Sequence, residues 1–206
     1  MKLFTQMALM GALAIMSTGC ATTARIESRR VSGISNPKVE KLTVLAQATD
    51  ARRHKSDQIG RHTFTIFMIP TFGVYSEEQV EKVMGNIFVE TLKQSGYEVA
   101  VVNSLDEATG SVLVLQLDSI HNYLFSWLYP LGLTFGRSQM TPVLFNRDGD
   151  SLWRGTPTVG WGFCPSVVYM CGFNTSIKSE VTSVMKKIVN KELQKESFLD
   201  ALNKSE

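Results

Sequence analysis

The chain has 206 residues, with 21 Lys or Arg against 19 Asp or Glu for a net charge of +2, and 44% of it is hydrophobic. From Cys20 onward the length suffices for one ordinary core and excludes two comfortable domains. The near-neutral total hides a polarity: Ala21–His62 carries nine basic and four acidic side chains, whereas Thr63 to the end carries eleven and fifteen, so a basic N-terminal part is either a solvated linker or a match for an anionic lipid surface.

The first predicted element is Met1–Gly19. It has Lys2, a mostly apolar run over Met7–Met16 and the small residues Ser17-Thr18-Gly19 before Cys20, which are the three parts of an export signal. Fewer than 18 uninterrupted apolar residues are available, so a membrane-spanning helix fits less well. Gly19-Cys20 resembles the lipobox of bacterial lipoproteins, with Ser17 where that family prefers leucine. The resemblance implies that residues 1–19 are removed and that Cys20 is the lipidation site. With Ala21 rather than aspartate next, it also implies an outer-membrane destination and a periplasmic domain. Each buried acyl methylene contributes about 0.8 kcal/mol, so such an anchor holds a domain at a bilayer without a transmembrane helix. An exported chain has no nucleic-acid partner to meet.

Residues 20–37 mix Thr, Ser, Gly, Arg and Asn without an apolar period, the composition of a lipidated flexible tether; the single α+β domain is expected over 38–206. Leu42–Ala46 and His62–Met68 are predicted strands. The Ala51-Arg52-Arg53-His54-Lys55 run between them is a solvated excursion or an anion site. Ser76-Glu77-Glu78-Gln79 has capping-box spacing, and Val80, Val83, Met84, Ile87, Phe88 and Leu92 follow at helical intervals, so the first amphipathic helix is placed over about 76–95, ended by Gly96.

Tyr97–Val102 and Val112–Leu117 are the next strands, the second apolar on both faces and therefore central. A C-terminal hairpin is predicted over about 139–147 and 151–160 through Asp148-Gly149, a tight-turn pair. Ile177, Val181, Val184, Met185, Ile188, Val189 and Leu193 define a second amphipathic helix over about 176–194. The fold class is α+β: a mixed sheet covered by two helices. The order strand, helix, Gly96-Tyr97-Glu98-Val99, apolar strand resembles small periplasmic accessory lipoproteins over about half of the mature chain.

Two segments depart from an ordinary surface. Asp118 and Arg137 bracket a stretch free of charge that contains Tyr123, Phe125, Trp127 and Tyr129; Gly155 to Ile177 is a second, with Trp161, Phe163 and Tyr169. They flank the hairpin, so both should emerge at one end of the sheet. They are either core under the sheet or an exposed partner-binding patch. Cys164 and Cys171, in an exported chain, are expected to form a disulfide that stiffens the second segment. No metalloprotease, serine-hydrolase, phosphate-loop or dinucleotide motif is present, and Asp148-Gly149-Asp150 lacks the further ligands of a calcium loop. The expectation is therefore a non-enzymatic lipoprotein without cofactor or metal, anchored to the membrane and binding an envelope protein. A subunit of an envelope export complex and a periplasmic hydrolase with an unrecognised site are the alternatives, and the sequence leaves the oligomeric state open.

Overall fold

A computed structural model describes residues 22–31, 37–39, 41–53, 57–64, 69–128, 131–166 and 169–204. Cys20, the segment before it and Tyr129 lie outside these residues, as do the side chains of Trp127, Tyr169 and Cys171. The strands are β1 (Thr22–Ala24), β2 (Lys41–Leu45), β3 (Thr49–Asp50), β4 (Gln58–Phe64), β5 (Ile69–Ser76), β6 (Glu98–Val102), β7 (Val112–Leu128), β8 (Leu131–Phe145), β9 (Ser151–Arg154) and β10 (Thr158–Ser166). The helices are α1 (Val80–Gln94), α2 (Tyr169–Asn190) and α3 (Glu196–Asn203). The fold is α+β, as expected.

Two long strands organise the sheet. One edge of β7 is shared: its first half pairs in parallel with β2 and β3, and its second half in parallel with β4. Its other edge takes β8 along nearly its whole length, and β8 in turn pairs with β9 and β10. Beyond β4 lie β5 and then β1, while β6 lies beyond β2. The apolar run Val112–Leu117 is therefore central. It is covered on one side by the helices and on the other by a small cluster in which Ala108, Val112 and Val114 meet Leu45, Val102 and Phe145.

Both helical stripes face the main core. Val80, Met84, Phe88 and Leu92 of α1 and Ile177, Val181, Val184, Met185 and Ile188 of α2 are all fully buried, and they share a cluster with Leu113, Leu115, Leu117, Ile120 and Leu124 of β7. Gly96, at φ +92°, ends α1 as expected: its N–H donates to Lys93 O and that of Tyr97 to Leu92 O, the paired bonds of a Schellman motif. The capping box at Ser76 does not form. Ser76 is the last residue of β5, paired with Ala24 of β1, and its extended backbone leaves Gln79 as the N-cap with no side-chain cap bond.

Three further expectations are corrected. The tether over residues 20–37 is in part built into the fold: Thr22–Ala24 pair with β5, and Ala24, Ile26 and Val31 are buried. Lys178 of α2 bonds Glu27 at 2.9 Å, and Thr182 accepts from the Arg29 N–H at 2.7 Å. The hairpin turn holds three residues rather than two. The Asn146 N–H donates to Asp150 O and the Gly149 N–H to Asn146 O, with Gly149 at φ +87°, the pattern of a type I turn followed by a left-handed residue. The first hairpin strand begins earlier than expected, at Leu131, and the second is broken by residues 155–157 into β9 and β10 before running on to Ser166.

Candidate functional site

One irregularity decides which side chains of β7 meet the helices. The register with β8 shifts between Leu117, opposite Met140, and Ser119, opposite Gln139, so Asp118 is the extra residue of a bulge. Ahead of it the odd-numbered Leu113, Leu115 and Leu117 are buried; beyond it the even-numbered Ile120, Asn122 and Leu124 are. His121, Tyr123 and Phe125 consequently stand on the open face. Asp118 is held in place by bonds from Gln116 Nε2 and Thr141 Oγ1, each at 2.6 Å.

The glycines of β8 and β10 complete the division of faces. Gly162 is opposite Gly136. A Cβ on Gly160 would fall 2.1 Å from Glu180 O, and one on Gly162 would fall 2.0 Å from Ser176 O, so the backbone of α2 lies directly on β10. Trp161 and Phe163 must then point away from the helix, as the alternation Gly160-Trp161-Gly162-Phe163 allows. The two charge-free segments thus run side by side, with Phe163 opposite Phe135 and Phe135 opposite Tyr123.

The result is an aromatic face open to solvent. Trp161 is 59% exposed, Phe163 63% and Tyr123 37%. Phe125 and Phe135 stack with centroids 5.4 Å apart at 7°, and Tyr123 lies 5.3 Å from Phe135. The guanidinium of Arg137 sits 5.4 Å from the Trp161 ring centre, within cation–π range. Of the residues expected to bind a partner, Tyr123, Phe125, Trp161 and Phe163 are brought together here; for Trp127, Tyr129 and Tyr169 the side chains lie outside the description.

Next to this face a cleft of about 610 Å³ is lined by Arg52, Arg53, Arg61, Asp118, Ser119 and His121 among others. Arg52 of the basic run is no free cation: its Nε and Nη2 donate to both oxygens of buried Asp50 at 2.8 Å. Burial pushes the Asp50 carboxyl up, but the Arg52 hydrogen bonds and charge outweigh it and hold the pKa below its ordinary value. The pKa of His121 is lowered, first by loss of solvent around its ring and then by the charges of Arg52 and Arg137. Among the described residues no group of three or more His, Cys, Asp or Glu could hold a metal ion.

Beneath the aromatic face, Glu180 of α2 is fully buried. Asn122 Nδ2 donates to its Oε1 at 2.9 Å and Ser138 Oγ to the same oxygen at 2.8 Å. Burial drives its pKa up to about 8 against the pull of those two bonds. Glu180 Oε2 and Asn122 Oδ1 have no other hydrogen-bond partner, and both crowd the same spot, 2.1 and 2.2 Å from where a Gly136 Cβ would be. A proton on Oε2 would supply a donor beside the Asn122 Oδ1 acceptor in this space.

The disulfide does not form in this structure. Cys164 is a free, half-buried thiol whose Sγ donates to Pro165 O at 3.4 Å. Of the segment that the bridge was expected to close, Pro165 and Ser166 belong to β10 and Tyr169 and Met170 to α2.

No family model matches the chain, and no curated protein does. Among solved structures the fold is similar to that of a Xanthomonas campestris protein of the family DUF330, with a TM-score of 0.55 and 16% identity over 84% of this chain and 95% of that one. A neuraminyllactose-binding hemagglutinin homolog from Helicobacter pylori (TM-score 0.47, 8% identity, 87% and 95% covered) and the PelC dodecamer from Paraburkholderia phytofirmans (TM-score 0.35, 15% identity, 78% and 93% covered) are looser likenesses. Neither of these two carries weight here. The first likeness is one of fold, and the architecture that presents the aromatic face is thereby a known one.

Proposed function

We propose that the chain is a lipid-anchored accessory protein of the bacterial envelope, held in the outer membrane by acyl groups on Cys20 with its domain in the periplasm. Its work is to bind through the aromatic face and not to catalyse. One observation carries this reading: Trp161, Phe163 and Tyr123 stand exposed on a sheet whose opposite side is packed so closely that glycine is required. Contiguous exposed apolar surface on a folded domain marks a contact site. The lipobox-like Ser17-Thr18-Gly19-Cys20 supports the anchor.

The chemistry of the neighbouring cleft supports the non-catalytic part. Asp118 commits both carboxylate oxygens to Gln116 and Thr141. Among the described residues no hydrogen bond joins Ser119 to His121, so these two do not form a nucleophile–base pair in the cleft. Among the described residues Glu180 is the carboxyl whose pKa is strongly raised, and it is fully buried and beyond the reach of a substrate.

A photo-crosslinking residue at Phe163, compared in intact cells with one at Leu152, tests this reading; Leu152 is 39% exposed on β9, away from the aromatic rows. The expected result is a discrete adduct, to protein or to phospholipid, from position 163 and none from 152. Equal labelling at the two positions would remove the basis for a contact surface.

A further inference from the structure

We propose, building on the binding role above, that the occupant of the aromatic face is the lipid bilayer that holds the anchor. The end of the sheet toward which β7 runs then lies in the interfacial layer of that membrane, with Arg61 and Arg137 at the depth of its phosphates.

The strand directions place the anchor. β1 is parallel to β5, β5 antiparallel to β4, and β4 parallel to β7, so β1 runs opposite to β7. Successive partners Thr22, Val74, Gly60, Asn122, Gly136 and Gly162 form one line across the sheet. The chain therefore enters β1 from the end of the sheet that lies beyond Tyr123 and Phe125. Cys20 precedes Thr22 by two peptide units, which span at most roughly 7 Å. Acyl chains on Cys20 leave no slack to hold the domain away from the bilayer, and the part of the domain that meets it is the aromatic end.

The order of side chains along the strands agrees with that placement. Phe125 is nearest the anchored end; Tyr123, Phe135 and Phe163 follow one row inward, level with Arg61, and Arg137 stands in the row after that, between His121 and Trp161. A leading ring, with cations level with and behind the rings that follow, suits a membrane interface, where aromatic side chains sit at the headgroup boundary and Arg meets phosphate. Arg61 and Arg137 are both exposed on this open face.

The test uses the acylated protein reconstituted in phosphatidylethanolamine and phosphatidylglycerol vesicles with brominated acyl chains, carrying Trp127→Phe and Trp153→Phe so that Trp161 is the one indole left. Emission from Trp161 is expected to fall about twofold relative to unbrominated vesicles, as for an indole in an interfacial belt. Phe163→Glu should abolish that fall while the protein still floats with the vesicles. Unchanged Trp161 emission in a protein that floats would overturn the bilayer assignment and leave the binding role standing, with a protein as occupant. A protein that fails to float would overturn the anchor and this inference together. Should the double variant not fold, the native chain compared with Trp161→Phe gives the same readout, since removal of Trp161 must then lower the quenched fraction; an unaltered fraction would overturn the assignment.

Discussion

Glu180 shows how closely α2 approaches the sheet. Glycines at 136, 160 and 162 let the helix lie close against β8 and β10, and the carboxyl enclosed there is shielded from solvent. Its pKa is raised to about 8, so over the range between its ordinary value and about 8 the folded chain holds a proton that the unfolded chain has released. Stability from this group is therefore greatest in acid and declines as pH rises through that window. Glu180→Gln supplies an amide donor in place of that proton and removes the titration. Urea unfolding should show the stability of the native chain relative to Glu180→Gln falling by about 3 kcal/mol from about pH 5 to about pH 8. A constant difference would mean that the carboxyl is already charged at the lower pH. The clue was present in the sequence: position 180 lies three residues after Ile177 and four before Val184, on the apolar stripe where an acid does not belong.

The strands and helices differ in how far their residues announced them. Stripes at three- and four-residue steps located α1 and α2 because helical burial repeats regularly. The central strand was also legible, from its uninterrupted apolar run. The face carrying Tyr123 and Phe125 was not, because strict alternation from Leu113, Leu115 and Leu117 would bury both, and only the extra residue at Asp118 reverses the parity. A better signal was the alternation of glycine with aromatic residues over 160–163, which means close backbone contact on one side and bulk on the other. Asp118→Ala removes the acceptor of both Gln116 and Thr141 and is expected to lower stability by about 1–3 kcal/mol in denaturant titration. An unchanged midpoint would show that the bulge forms without that side chain. Ser76 misled for a related reason: its capping spacing was sound locally, but β1, drawn from the segment that looked like a tether, pairs with it and keeps it extended.

At the scale of the whole molecule the account turns on orientation. The basic N-terminal part is not a loose spacer. Its Glu27 is paired with Lys178 of α2, Ile26 and Val31 are buried in the core, and Arg52 is matched to Asp50, while Arg61 stands exposed in the row of Tyr123. Sequence composition suggested an anchor and an aromatic surface as separate features; strand order and direction, which composition does not encode, set the start of β1 toward the same end of the sheet as the aromatic rows. Hydroxyl-radical footprinting of the protein in native envelopes and after extraction in its folded form tests this most directly. Trp161 and Phe163 should be oxidised several-fold less in the envelope than after extraction, as expected for side chains removed from water by a contact, while Trp153, packed edge-on against Phe198, reacts alike in both. Equal oxidation of Trp161 and Phe163 in the two states would contradict the claim that the aromatic face is where this protein makes its contact.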